Sequence, residues 1–211
     1  MPITFRISAI SPLVCWVVLF TGNPAPAQTT KNTAPVDEKT RLNKALVDAA
    51  SLGKLETVKE LLKQGADIHY RDPTANGKTP LTRSVLAGQF EVVKYLLAKG
   101  GDQDLNRGPF PMLVSVCDHG QALPEFIPIL IKAGINPDEF KGPVTALIAA
   151  LQLDPKVRKP EVTRSYVKAL IENKADVNLP DKKEKMTPLA WAKKRGDQEV
   201  IDMLVKAGAK E

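Results

Sequence analysis

One segment of fixed design recurs along this chain and limits what it can fold into. Residues 54–67 read KLETVKELLKQGAD, residues 89–102 QFEVVKYLLAKGGD and residues 197–209 DQEVIDMLVKAGA. Each follows a glycine (Gly53, Gly88, Gly196), and in each a second glycine lies 12 residues after the first. Val92, Val93, Leu96 and Leu97 stand at i, i+1, i+4 and i+5, which predicts a helix that buries two adjacent flanks. Helices of about 8–10 residues are marginal in isolation, so such units must gain their stability by stacking.

A second element precedes the first. Thr79-Pro80-Leu81 opens one copy and Thr187-Pro188-Leu189-Ala190-Trp191-Ala192 another, with the threonine nine residues before the glycine. Threonine caps a helix start, and proline suits the first helical position, where its missing N–H has no partner. Gly88 and Gly196 then fit the left-handed residue that ends a short helix.

Five copies align on Lys44, Thr79, Pro111, Thr145 and Thr187, and close at Gly65, Gly100, Gly134, Lys174 and Gly208. The closing positions are spaced 35, 34, 40 and 34 residues apart. The pattern resembles the ankyrin repeat, whose signature is T-P-L-H-x-A over about 33 residues. The resemblance covers 40–211 and implies an all-α solenoid of helix-turn-helix units with protruding hairpin-like turns, in about five repeats: 40–73, 74–107, 108–140, 141–180 and 181–211. The first and last copies read as caps, with Lys44, Lys54, Lys59 and Lys63 at one end and Lys206 and Lys210 at the other.

Three departures stand out. The signature histidine is replaced by Val47, Thr82, Val114, Ile148 and Ala190, which puts the tightness of the turns in question. The third copy carries Pro124 and Pro128, so its second helix is expected either to start at Pro128 and be short or to start at Pro124 and kink. The fourth copy has Asp154 in place of glycine and a basic insert, 154–160, expected to be a solvated loop or else a partner contact.

The start of the chain differs in kind. Arg6 is followed by the apolar run 13–20 and by Ala25-Pro26-Ala27, which together read as a secretory signal peptide, 1–27, cut after Ala27. The apolar run is too short for comfortable spanning, which needs roughly 20 residues. Residues 28–39 are polar and aperiodic and are expected to be a flexible leader. The expected location is therefore periplasmic or secreted, with no stable membrane insertion after cleavage. Removal of Cys15 leaves Cys117 alone, so the exported form has no internal disulfide and depends on its core. Cys117 aligns with a small buried position of a first helix.

No constellation for catalysis is visible. His69 and His119 are the only histidines, and there is no C-x-x-C, H-E-x-x-H, G-x-S-x-G or phosphate-cradling glycine loop. No metal, cofactor or enzymatic activity is expected. Asp138-Glu139 read as a solvated acidic tip. The net charge is +6, with basic clusters at 182–185 and 193–195 that read as solvated surface. No aromatic residues alternate with them, so no nucleic-acid partner is expected.

The resemblance implies a binding module whose partner is a protein, met by the turn tips and the exposed side of the first helices; an exported, monomeric adaptor is expected, with an inhibitor that blocks a toxin or enzyme, or a secreted effector, as the alternatives. Carried over by position, the candidates are Asn76, Lys78 and Leu86 in the second repeat, and Arg107, Phe110, Asp118 and His119 in the third. The fourth adds Lys141, Val144 and Gln152, and the fifth Glu184, Met186, Trp191 and Lys194. Phe110, Met186 and Trp191 weigh most, because apolar groups on a binding face tend to carry interface energy.

Overall fold

Each threonine that opens a copy caps a helix. The computed structural model describes residues 37–105, 111–118 and 123–210, without the side chains of Asp102 and Asp104. The expected signal peptide, the leader up to residue 36, Arg107, Phe110 and His119 lie outside the described residues. Thr79 Oγ1 accepts the Thr82 N–H at 3.2 Å, Thr145 Oγ1 that of Ile148 at 3.4 Å, and Thr187 Oγ1 that of Ala190 at 3.2 Å. Gly88 and Gly196 take the left-handed conformation, with φ of +72° and +73°.

Ten described helices form five antiparallel pairs. They are α1 (Glu38–Ser51) with α2 (Leu55–Lys63), α3 (Pro80–Leu86) with α4 (Phe90–Ala98), and α5 (Met112–Asp118) with α6 (Phe126–Lys132). The last two are α7 (Ala146–Gln152) with α8 (Pro160–Glu172), and α9 (Pro188–Arg195) with α10 (Gln198–Lys206). Among the described residues no strand forms, only the isolated bridges Asp72–Lys78 and Lys141–Val144 at two turn tips. The first helices pack in the order α1, α3, α5, α7, α9, and the second helices lie along their back.

The stack builds one continuous core. Val58, Val93, Ile127 and Val167 hold the same position in successive second helices and are all fully buried. The neighbouring column, Val92, Phe126, Tyr166 and Val200, is buried too, whereas its counterpart in α2, Thr57, is exposed. That threonine makes the outer flank of the first repeat polar, as a capping unit needs. Phe90 and Phe126 meet edge to face at 5.5 Å between centroids, joining the second repeat to the third.

The departures resolve in ways the sequence did not indicate. Helix α1 begins at Glu38, inside the expected leader, and Asp37 caps it through the Lys39 N–H at 3.4 Å. Neither proline starts α6. The helix opens at Phe126 between them, with Pro128 in its first turn, where a missing N–H costs no intrahelical bond.

The 154–160 insert is not simply a solvated loop. Asp154 folds it into one turn, its side chain accepting the Lys156 N–H at 2.7 Å and its carbonyl those of Val157 and Arg158 at 2.8 and 3.0 Å. Lys156, Val157 and Lys159 point outward, but Arg158 is 1% exposed. Its Nη2 donates to the Cys117 carbonyl near the end of α5, and its guanidinium lies 4.7 Å from the Tyr166 ring centroid. In the basic cluster 193–195, Lys193 and Lys194 are exposed as expected, but Arg195 turns inward. Arg195 Nη1 donates to the Leu153 carbonyl and, at 3.5 Å, to that of Leu151, while Nη2 reaches Thr163 Oγ1 at 3.2 Å.

Candidate functional site

The turn tips and first helices enclose a groove between the second and third repeats. Asn76 and Lys78 line it from one tip and Lys141 from another. Thr82 and Leu86 of α3, with Met112, Ser115 and Asp118 of α5, form its floor and far end. Its volume is about 270 Å³. Five of the candidates drawn from the sequence therefore converge here: Asn76, Lys78, Leu86, Asp118 and Lys141. Thr82, Met112 and Ser115 belong to the same groove and were not among them.

Local chemistry holds the tips in place. The buried Asp72 carboxylate accepts the Thr74 hydroxyl at 2.7 Å and the Thr74 N–H at 2.8 Å. Its carbonyl accepts the Gly77 N–H at 2.8 Å, and its N–H donates to the Lys78 carbonyl at 3.2 Å. These bonds close the 72–78 turn, with Asn76 left-handed at φ +56°. The Thr74 hydroxyl outweighs burial and, with backbone N–H groups and Lys44 nearby, keeps the Asp72 carboxyl below its ordinary range. At the next described tip Lys141 and Val144 exchange backbone bonds of 2.8 and 3.3 Å. Where the signature histidine is missing, the Thr79 and Thr82 hydroxyls lie 3.0 Å apart and the turn stays closed.

The fifth-repeat candidates form a separate cluster around Asp181. Its carboxylate, 1% exposed, accepts the Glu184 N–H at 2.6 Å, Trp191 Nε1 at 3.0 Å, the Met186 N–H at 3.1 Å and the Lys183 N–H at 2.9 Å. Burial pushes this carboxyl upward, but the four donors together hold it below the usual aspartate value. Trp191 and Met186 are half-buried. Lys194 lies over the Trp191 ring at 4.5 Å and pairs with Glu184 at 3.6 Å, so one indole face is already occupied. Val144 is half-buried and Gln152 exposed, and neither lines the groove. Sequence reading missed Asp72 and Asp181, although an aspartate seven or six residues before each Thr-Pro was a usable signal.

Other chemistry is sparse. Cys117 is fully buried, and desolvation pushes its thiol up to about 12. Tyr166, whose hydroxyl accepts the Leu123 N–H at 2.8 Å, is likewise pushed up to about 12 by burial. Asp138 is tied down rather than free at a tip, accepting the Asp176 N–H at 2.8 Å. Among the described residues no three His, Cys, Asp or Glu side chains are placed to hold a metal ion, and no helix is long and apolar enough to cross a membrane.

Paired helices, threonine caps and bridged tips at this spacing define the family. The profile described as ankyrin repeats (3 copies) matches residues 20–108 and 46–141. The chain belongs to the ankyrin-repeat family. Among similar proteins, mouse protein phosphatase 1 regulatory subunit 27 is 47% identical over 60 residues, 28% of this chain and 38% of that protein. A Caenorhabditis elegans ankyrin repeat and KH domain-containing protein is 32% identical over 107 residues, 50% of this chain and 4% of that one. A putative ankyrin repeat protein of fowlpox virus is 26% identical over 174 residues, 77% of this chain and 47% of its own length. The chain thus spans well under two thirds of these relatives. The shared element is the repeat, which makes the chain a protein–protein interaction module.

Proposed function

We propose that the chain is an exported, non-catalytic adaptor that holds a protein partner on its concave face. The observation that carries this reading is the convergence of Asn76, Lys78, Leu86, Asp118 and Lys141 from three repeats, two turn tips and two helices, onto one groove. Rigid first helices and bridged tips hold these side chains in place, which lowers the ordering cost of binding. Export rests on the 1–27 pattern. Capture of one partner from an envelope extract, abolished by Leu86→Glu with helicity and melting unchanged, is the expected result. Capture that survives Leu86→Glu moves the binding face elsewhere, and a chain retained in the cytoplasm removes the export element.

A second reading is that of an inhibitor of a toxin or enzyme. The similar mouse protein is named as a regulatory subunit, and this is the observation that favours it. Mixing separates the two readings: an inhibitor abolishes the partner's activity, whereas an adaptor co-purifies and leaves it intact.

A further inference from the structure

Asn76 is the one asparagine of this sequence that is followed by a glycine. A glycine in that place has no Cβ to shield its backbone nitrogen from the asparagine side-chain carbonyl. Asn76 is exposed on the 72–78 turn and lines the groove. The other described asparagines have their amides tied down. Asn43 Oδ1 accepts the Asp67 N–H at 2.7 Å, Asn136 Oδ1 that of Asp138 at 3.0 Å and Asn178 Oδ1 that of Lys210 at 2.7 Å. Asn173 Nδ2 donates to the Ala169 carbonyl at 2.8 Å. No such bond holds the Asn76 amide among the described residues. The backbone of the tip is arranged the other way. The Gly77 N–H donates to the Asp72 carbonyl at 2.8 Å, and the Asp72 N–H to the Lys78 carbonyl at 3.2 Å. Asn76 is left-handed at φ 56° and ψ 37°, which turns the Gly77 nitrogen away from the Asn76 side chain. The electrophile is free and the nucleophile is locked.

We propose that Asn76 is a site of spontaneous deamidation whose rate is set by opening of the 72–78 turn. Once the turn opens, the Gly77 nitrogen gives its proton to hydroxide and attacks Cγ of Asn76. The bond from Cγ to the side-chain nitrogen breaks, and ammonia leaves with a proton taken from water. The product is a five-membered succinimide. Water then adds at one of its two carbonyls, which leaves aspartate from one and isoaspartate from the other. Net, one water is consumed and one ammonia released, with no change of oxidation state. Aspartate tolerates the left-handed region as asparagine does, so that product can close the turn again. It adds a carboxylate to the groove that Lys78 also lines. Isoaspartate lengthens the backbone by a methylene and so breaks the register of both bonds between Asp72 and residues 77 and 78. The Asp72 carboxylate, through its bonds to the Thr74 hydroxyl and N–H, holds the reaction back. The modification needs no partner, so it stands or falls apart from the adaptor reading.

The test incubates the full chain and a peptide of residues 70–80 in the same mildly alkaline buffer. Mass spectrometry of the tryptic fragment 72–78 follows the exchange of the side-chain NH2 for OH, and chromatography separates aspartate from isoaspartate. The native chain should convert on the order of tenfold to a hundredfold more slowly than the peptide, because two backbone bonds must open first. Unfolded in urea, it should convert at the peptide's rate. Asp72→Ala should convert faster than wild type, with a circular dichroism melt to show that it is folded. If it does not fold, Thr74→Val, which removes the hydroxyl bond alone, takes its place. Asn76→Gln should show no conversion of this fragment. A native chain that converts as fast as the peptide overturns the proposal, as does a folded turn variant no faster than wild type. A native chain still intact after about a hundred peptide half-lives exceeds what opening two bonds can cost and overturns it too. Earlier conversion at another asparagine overturns Asn76 as the site.

Discussion

Removing Arg158 should be the most damaging single change outside the apolar core. The side chain comes from the insert of the fourth repeat yet is buried against the third, between the Cys117 carbonyl and the Tyr166 ring. A hydrogen bond to a charged group contributes about 1.5–3 kcal/mol, and a desolvated cation–π contact about 2 kcal/mol. Against this stands the desolvation of a buried guanidinium, several kcal/mol, which Arg158→Ala recovers. Burial accordingly lowers the Arg158 pKa from its ordinary value. The alanine variant also leaves a void and takes this donor from a buried carbonyl, so a net loss of about 2–4 kcal/mol is expected. Arg158→Met fills much of the void but supplies no donor, and should lose about 1–2 kcal/mol. Urea unfolding followed by far-ultraviolet circular dichroism measures both. The order should be wild type, then methionine, then alanine. An alanine variant within about 0.5 kcal/mol of wild type, the ordinary spread for surface substitutions, refutes the structural role given to the insert.

Lys174 closes the fourth repeat at φ +68°, where Gly65, Gly100, Gly134 and Gly208 stand in the others. Lys174→Gly should therefore raise stability by roughly 0.5–1 kcal/mol, read as a higher melting temperature; a lower one contradicts the strain argument. Asp181 is held below its ordinary 3.8, so its contribution is full above that pH and disappears as pH falls through the lower folded value. Asp181→Asn should flatten that acid limb in a pH series of melts, and an unchanged limb counts against the four-donor account. Cys117 and Tyr166 carry the opposite sign: both folded values are raised to about 12, so stability is complete below pH 9 and falls as pH rises above it. Cys117 should also resist a thiol reagent at pH 8 until denaturant opens the stack, and fast labelling of the native protein contradicts its burial.

The repeat was legible because its signals are local. Threonine before proline, glycine nine residues on and apolar pairs four apart each act within one helix, so Thr79, Gly88 and the Val92–Leu97 set could be placed from sequence. The groove was half legible. Asn76, Lys78, Leu86, Asp118 and Lys141 follow from position in the repeat, whereas Thr82, Met112 and Ser115 join them only because two neighbouring repeats lie at a particular distance. What escaped was long-range polar satisfaction. A lysine- and arginine-rich insert has the composition of a solvated loop, and nothing in its sequence marks Arg158 as the residue that turns inward. The need it answers lies at Cys117, 41 residues earlier. Arg195 escaped in the same way, because its acceptors at Leu151 and Leu153 come near only when the chain is stacked.

Those two arginines share a logic with Gln89. Gln89 Nε2 donates to the Ser51 carbonyl at 3.3 Å, Arg158 to Cys117 and Arg195 to Leu151 and Leu153. In each case a later repeat supplies the donor and the end of the first helix of the preceding repeat supplies the acceptor. A helix C-terminus carries orphan carbonyls and the negative end of its dipole, so a cation is the better donor there. In the fourth repeat, Asp154 has replaced the glycine that ends the first helix and Leu153 is extended, leaving α7 without the usual left-handed cap. Arg195 fills that need from the fifth repeat and ties the two together. The bond crosses the boundary between units that also meet through apolar contact and through the Arg164–Asp197 and Arg164–Glu199 ion pairs, so it should add cooperativity as well as stability. In a Trp16→Phe background, Trp191 fluorescence reports the fifth repeat and circular dichroism the whole stack. The two urea transitions should coincide with Arg195 in place, and in Arg195→Ala the Trp191 transition should come first, with about 1.5–3 kcal/mol lost at that junction. Transitions that remain superimposed in the variant mean that the other contacts, apolar packing and the Arg164 ion pairs among them, couple the last two repeats without Arg195.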